Sequence, residues 1–211
     1  MEHPISLTLN EAGYVVGQSS AAINRAVDRG VIRAKLQRRG NIRLRKIGPA
    51  ELRYLAIAGE VEKDLTPSAR RKVYDAMRRL PPDAHRLAVG VIEFKLTDVD
   101  QRIAERLRRL EKVKELIDAQ SAADPLIRGT NVPAYEIAAL TRGQTAAEIL
   151  EDYPGMSREQ VEAAAEFAKV YPKPGRPLPP RSFKRMLSDM AESGVWEIES
   201  DDEVMGPRLI P

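Results

Sequence analysis

Residues 7–46 read LTLNEAGYVVGQSSAAINRAVDRGVIRAKLQRRGNIRLRK, and the fold turns on how this stretch divides. Thr8 stands three residues ahead of Glu11, the spacing of a capping box, so a short helix opens there. Gly17-Gln18-Ser19 reads as a turn, and Ser19 or Ser20 as the cap of a second helix to about Arg29. Ala22, Ile23, Ala26 and Val27 recur at helical spacing and form its inward stripe, leaving Ala21, Asn24, Arg25 and Asp28 facing out. Gly30 then stops the helix as a C′ glycine. Two runs from Ile32 and from Ile42 alternate apolar and basic residues, and Arg39-Gly40-Asn41 joins them into a predicted β-hairpin. Alternation puts Ile32, Ala34, Leu36, Ile42 and Leu44 on one face, and Arg33, Lys35, Arg43 and Arg45 on the other. Gly48-Pro49 starts a third helix to about Ala58. Helix, turn, helix, hairpin and helix make a winged helix-turn-helix, assigned to residues 1–62.

Charge says what this unit would meet. Nine basic residues and one acidic residue, Asp28, fall between positions 25 and 46, hidden in a total of +3. Cations spaced along a rigid edge suit DNA, because each neutralised phosphate releases condensed counterions. The candidate DNA contacts are Ser20, Asn24 and Arg25 on the second helix, with Ala21 beside them. Arg33, Lys35, Arg38, Arg39, Asn41, Arg43 and Arg45 follow on the hairpin. Asn and Arg are the side chains that read adenine and guanine bidentately. The plain alternative is a solvated surface hairpin.

Composition removes several classes of chemistry. There are no cysteines, hence no disulfides, thiolate metal sites or Cys nucleophiles, and the two histidines stand far apart. The chain has no P-loop, no GxGxxG and no Ser/His/Asp constellation, so neither an enzyme nor a cofactor or metal site is expected. Asp201-Asp202-Glu203 has nothing nearby to close a coordination shell. No apolar run reaches the roughly 18 residues that span a bilayer, and no signal peptide precedes Leu7. A cytoplasmic protein with no membrane partner is expected.

With 5% aromatic and 31% charged residues, the expected class is mainly α with small β elements. Residues 63–120 read as a helix from Thr66-Pro67 to Leu80, a buried strand from Leu87 to Leu96, and a long helix opened by Thr97 with Asp100. Val99, Ile103, Leu107, Leu110, Val113 and Ile117 form a seam on that helix. Strand and seam suit a homodimer through Leu87, Val89, Val91, Ile103, Leu107 and Leu110, or packing within one chain. Residues 121–172 read as three short helices of homeodomain-like shape, with capping boxes at Thr145–Glu148 and Ser157–Gln160. The middle helix carries Glu148, Glu151 and Asp152, which phosphates would repel; a protein-contact or structural role is preferred to a second DNA reader.

Residues 173–211 form a Pro-rich linker and an acidic tail. Phe183, Met186, Leu187 and Met190 sit at i, i+3, i+4 and i+7, the anchor pattern of a helix laid into a groove on another protein. Trp196 and Ile198 extend the contact as a strand; packing on the chain itself is the alternative.

The segment Asp124-Pro125-Leu126-Ile127-Arg128-Gly129-Thr130-Asn131-Val132-Pro133 resembles the opening of a small uncharacterised domain common in bacterial antitoxins. Ala146-Ala147-Glu148-Ile149-Leu150-Glu151-Asp152-Tyr153-Pro154, followed by Met156-Ser157, resembles what comes next in that domain. Leu7 to Ala12, and Val27 to Ile32, resemble the MerR- or excisionase-type winged helix that precedes it in longer members. The resemblance implies a VapB-like antitoxin of a type II toxin–antitoxin pair, dimeric on its operator DNA. Its C-terminal region would neutralise a PIN-like ribonuclease, a cluster of carboxylates around Mg²⁺. Arg181, Phe183, Lys184, Arg185, Met186, Leu187, Met190, Trp196 and Ile198 would make that contact. Lys184 or Arg185 would displace the metal, or else the acidic end would cover the RNA-binding rim. The rival readings are a stand-alone transcription or recombination accessory factor and, further off, an RNA-binding regulator.

Overall fold

The computed structural model describes residues 5–61, 65–119, 124–173, 175 and 178–192. The first unit runs β1 (Leu7–Thr8), α1 (Leu9–Val16), α2 (Ser20–Asp28), β2 (Lys35–Arg39), β3 (Ile42–Ile47) and α3 (Pro49–Val61). The Thr8 hydroxyl accepts from the Glu11 N–H, and the Glu11 carboxylate takes the Thr8 N–H at 2.7 Å, which closes the expected capping box. Ser19 caps α2. Ala12, Val15, Ile23, Ile32, Ile47 and Leu52 form the core of this unit. The antiparallel sheet has the order β1-β3-β2, which buries Leu7 and Ile47 opposite each other.

The helix-turn-helix crossing depends on a glycine that the sequence reading passed over. A Cβ on Gly13 would lie 2.6 Å from the Gln18 carbonyl oxygen and 3.2 Å from the Ser20 nitrogen. Gly17, four residues on, turns the chain at φ 72°. Gly13→Ala is expected to push α1 away from the turn and destabilise the unit by roughly 1–3 kcal/mol. A urea midpoint equal to that of the parent protein would show that the crossing relaxes freely.

In the middle of the chain, α4 (Pro67–Arg79) begins at its Thr66 cap and stops before Pro81-Pro82. The single buried strand expected from Leu87 to Leu96 is instead a hairpin, β4 (Arg86–Val89) and β5 (Ile92–Lys95). Gly90, at φ 63°, takes the first place of a two-residue turn and reverses the chain. Leu87 and Leu96 are buried, whereas Val91 at the tip is fully exposed. The long helix α5 (Thr97–Leu116) follows, with Thr97 its first residue rather than its cap.

The seam on α5 is real, but its partners lie in the same chain. Val99, Ile103, Leu110 and Val113 are buried and Leu107 is half-buried, against α1, α3 and α8 (Arg158–Val170). Of the six positions assigned to dimerisation, Leu87, Ile103 and Leu110 lie in this chain's own core, and Val89 and Leu107 pack against it. The expected strand is thus a hairpin, and the seam takes the second of its two expected arrangements, packing within one chain. At about 1.5–3 kcal/mol for each large buried side chain, the seam is a principal source of stability.

Past α5, β6 (Ile117–Asp118) pairs with β7 (Leu126–Ile127), and α6 (Ala134–Leu140), α7 (Ala146–Asp152) and α8 complete a three-helix unit. Both predicted capping boxes form. A second core of Val113, Ile117, Ile127, Ile137, Ile149 and Phe167 fills it, and Val170 of α8 belongs to the first core. A last helix, α9 (Phe183–Glu192), follows the Pro-rich segment. The architecture is mainly α with small antiparallel sheets. Among the described residues no helix is long and apolar enough to cross a membrane.

Candidate nucleic-acid interface and tail

The turn decides which way the wing cations face. Arg39 pairs with Ile42, so the β2–β3 loop is the two residues Gly40-Asn41, with Gly40 at φ 60°. A three-residue loop of Arg39-Gly40-Asn41 would have paired Arg38 with Ile42. The one-residue difference inverts the face assignment, because strand side chains alternate with period two. Leu36 and Arg45 are opposite each other, as are Arg38 and Arg43, and these four share one face. Lys35, Gln37, Leu44 and Lys46 share the other. Leu36, expected inside, is accordingly 67% exposed.

The face holding Arg38 and Arg43 is the one turned to α2. Two residues inward along it, Arg45 donates to Asn24 Oδ1 and to Asp28 Oδ1, each at 2.6 Å. Asn24 in turn donates to Asp28 Oδ2 at 3.1 Å. Sequence reasoning counted Asn24 and Arg45 among the DNA contacts; the structure uses both to join wing and helix. Arg25, Arg33, Lys35, Arg38 and Arg43 stay exposed without an ion-pair partner among the described residues, and Asn41 is exposed at the turn. Ser20 is half-buried in the first turn of α2. The Arg39 side chain lies outside the described ones. Tyr74 of α4, which sequence reasoning missed, accepts from the Arg33 N–H at 2.8 Å and donates to Glu51, fixing where the wing begins.

A buried carboxylate ties this unit to the rest. Glu11, 5% exposed, receives the Thr8 N–H, the Tyr171 hydroxyl at 2.8 Å and the Lys114 ammonium at 2.5 Å. Burial pushes the carboxyl up, but the bonds from Lys114, Thr8 and Tyr171 outweigh it and hold the pKa down at about 2. A second bond runs the other way, from Tyr14 of α1 to Glu166 of α8 at 2.7 Å. The sequence signalled Glu11 only as half of a capping box.

The third unit is an adapter in this geometry. Its last helix, α8, buries Val161, Ala163, Ala164, Phe167 and Val170 between α6 on one side and α1 with α5 on the other. The outer face of α8, with Arg158, Glu159, Glu162 and Lys169, stays exposed and carries as many acidic as basic groups. The acidic residues of α7 hold the base of the tail. The Ser182 hydroxyl donates to Asp152 at 2.7 Å, and Arg185 reaches Asp152 at 3.2 Å and Glu151 at 2.9 Å. Lys184 stands 3.6 Å from Asp152, and Arg181 pairs with Asp189. The Ser182 hydroxyl, then Gln144 and Arg185, keep the Asp152 carboxyl below its ordinary value. Above this base Phe183, Met186, Leu187 and Met190 are 74%, 39%, 41% and 36% exposed. Trp196 and Ile198 lie outside the described residues.

Comparison with known proteins bears on part of the chain. Residues 120–168, the adapter, match the family described as "Protein of unknown function (DUF433)". An uncharacterized protein of Sinorhizobium fredii, y4eO, is 30% identical over 109 residues, which is 50% of this chain and 45% of that protein. The chain therefore spans less than half the length of that relative. No solved structure matches the chain.

Proposed function

We propose that this chain is the DNA-binding antitoxin of a type II toxin–antitoxin pair. It represses its own operon through α2 and the wing, and holds a PIN-like ribonuclease on the apolar stripe of α9. The observation that carries this reading is that stripe: four large apolar side chains stand exposed on one helix, in a chain that also presents an exposed cationic wing. A soluble monomer seldom leaves such a contiguous stripe uncovered. The resemblance of residues 124–157 to a domain of bacterial antitoxins supplies the kind of partner. Arg185 is already engaged by Glu148, Glu151 and Asp152 of its own chain. Lys184, with 78% of its side chain exposed, is the cation freer to enter the partner's site. Homodimeric operator binding belongs to the same proposal. With Leu87, Ile103 and Leu110 inside the chain, the second copy would meet another face.

The test is co-expression with the neighbouring reading frame, pulling on an N-terminal tag. A small ribonuclease is expected to co-purify with the parent chain and to be lost with Met186→Asp. DNA binding and melting temperature should stay unchanged, because Met186 is not part of a core. Loss of folding along with the partner would assign the stripe a structural role. The anchoring of α9 on α7 favours a second reading, a stand-alone regulator whose tail is part of its own structure. Absence of any partner, with operator binding intact, would select it.

A further inference from the structure

We infer that bound DNA runs past the winged helix and rests its backbone phosphates on Arg106 and Arg109 of α5 and Lys169 of α8. This rests on the DNA-binding reading above. A cleft of about 470 Å³ separates the helix-turn-helix from α5 and α8. Ser19 and Ser20 border it on one side, and Arg106, Arg109 and Lys169 on the other. Ser20 begins α2, whereas Arg45 of the wing bonds at Asn24 and Asp28, in its middle and at its end. A duplex lying along α2 therefore meets wing cations near one end of the helix and these three near the other.

The three cations are held in place but remain open to an anion. The Arg106 guanidinium lies 5.7 Å over the Tyr14 ring and donates to the Tyr14 carbonyl at 2.9 Å, with no carboxylate partner among the described residues. Arg109 pairs with Glu105 one turn earlier, and Lys169 with Glu166 at 2.7 Å. Both pairs are solvent-exposed on the cationic side, and exposed pairs contribute only about 0–1 kcal/mol. A phosphate can replace either partner at small cost. Glu166 remains satisfied by Tyr14, whose bond fixes α8 against α1. A row of phosphates fits three cations drawn from two packed helices.

The experiment uses full-length protein carrying Arg109→Ala and Lys169→Ala together. Arg106 is left intact, since it also supports α1. Binding to a duplex of about 30 base pairs is followed by anisotropy between roughly 50 and 200 mM salt. The slope of log K against log salt is expected to flatten by about 2, with affinity at least roughly tenfold lower and an unchanged melting temperature. A hydroxyl-radical footprint of the parent protein should extend beyond the wing-protected sugars and shrink in the variant. If the variant unfolds, the parent footprint decides alone. An unchanged slope and footprint, in a protein that Arg38→Ala with Arg43→Ala still weakens, would overturn this inference and leave the DNA reading standing. No duplex binding by the parent protein would overturn both.

Discussion

Replacing Arg38 and Arg43 together by alanine should lower affinity for every duplex tested roughly 10- to 100-fold, and reduce the salt slope by about 2. The two side chains sit opposite each other on the wing, on the face that carries Arg45 to α2. Both are exposed, so their removal should leave the melting temperature where it was. Lys35 and Lys46 are the internal control. They carry the same charge on the same two strands, opposite each other on the other face. Lys35→Ala with Lys46→Ala should cost far less binding than the arginine pair. Equal losses from the two pairs would mean that general positive charge attracts the DNA and that the face does not matter.

Glu11→Ala should produce the largest loss of stability in the molecule short of disrupting a core. The carboxylate is nearly inaccessible and gathers the Thr8 N–H, the Lys114 ammonium and the Tyr171 hydroxyl. Alanine takes the acceptor from the Thr8 N–H and the Tyr171 hydroxyl, while the half-exposed Lys114 ammonium turns to water, a cost of about 2–4 kcal/mol. For a chain of this size that is a fall in melting temperature of roughly 5–15 °C. The same residue sets an acid limit. Its folded pKa of about 2 lies below its ordinary 4.5. The stability it contributes is therefore complete above about pH 4.5, and is lost as the pH falls through the window towards 2. Glu11→Ala should flatten that part of the stability–pH curve. A variant as acid-sensitive as the parent would place the titrating group elsewhere.

Local chemistry was legible in the sequence, and long-range pairing was not. Three capping boxes, at Thr8, Thr145 and Ser157, form where spacing put them, because each is complete within four residues. The inward stripe of α5 was equally plain, yet periodicity carries no information on which surface it meets. The hairpin at 86–95 was hidden because residues 87–92 run apolar without a break, and Gly90-Val91 lacks the polar residues that usually mark a turn. In the wing the polar turn was visible, but the choice between two and three loop residues reversed the faces. Arg185, expected from the sequence to meet the carboxylates of a partner, meets those of α7 in its own chain, a pairing across more than thirty residues that no local pattern announces.

The two tyrosine–glutamate bonds between the first and third units run in opposite senses. Tyr14 of α1 reaches Glu166 of α8, and Tyr171, at the end of α8, reaches Glu11 of α1. A single contact of this kind leaves two helices free to pivot about it, but a crossed pair acts as a keyed joint that closes in one orientation only. The spacing between the wing and the base of the tail is then set by the architecture, as on a caliper with its screw tightened. A protein seated on α9 would stand at one distance and angle from a duplex seated on α2, whatever the length of the Pro-rich strap between.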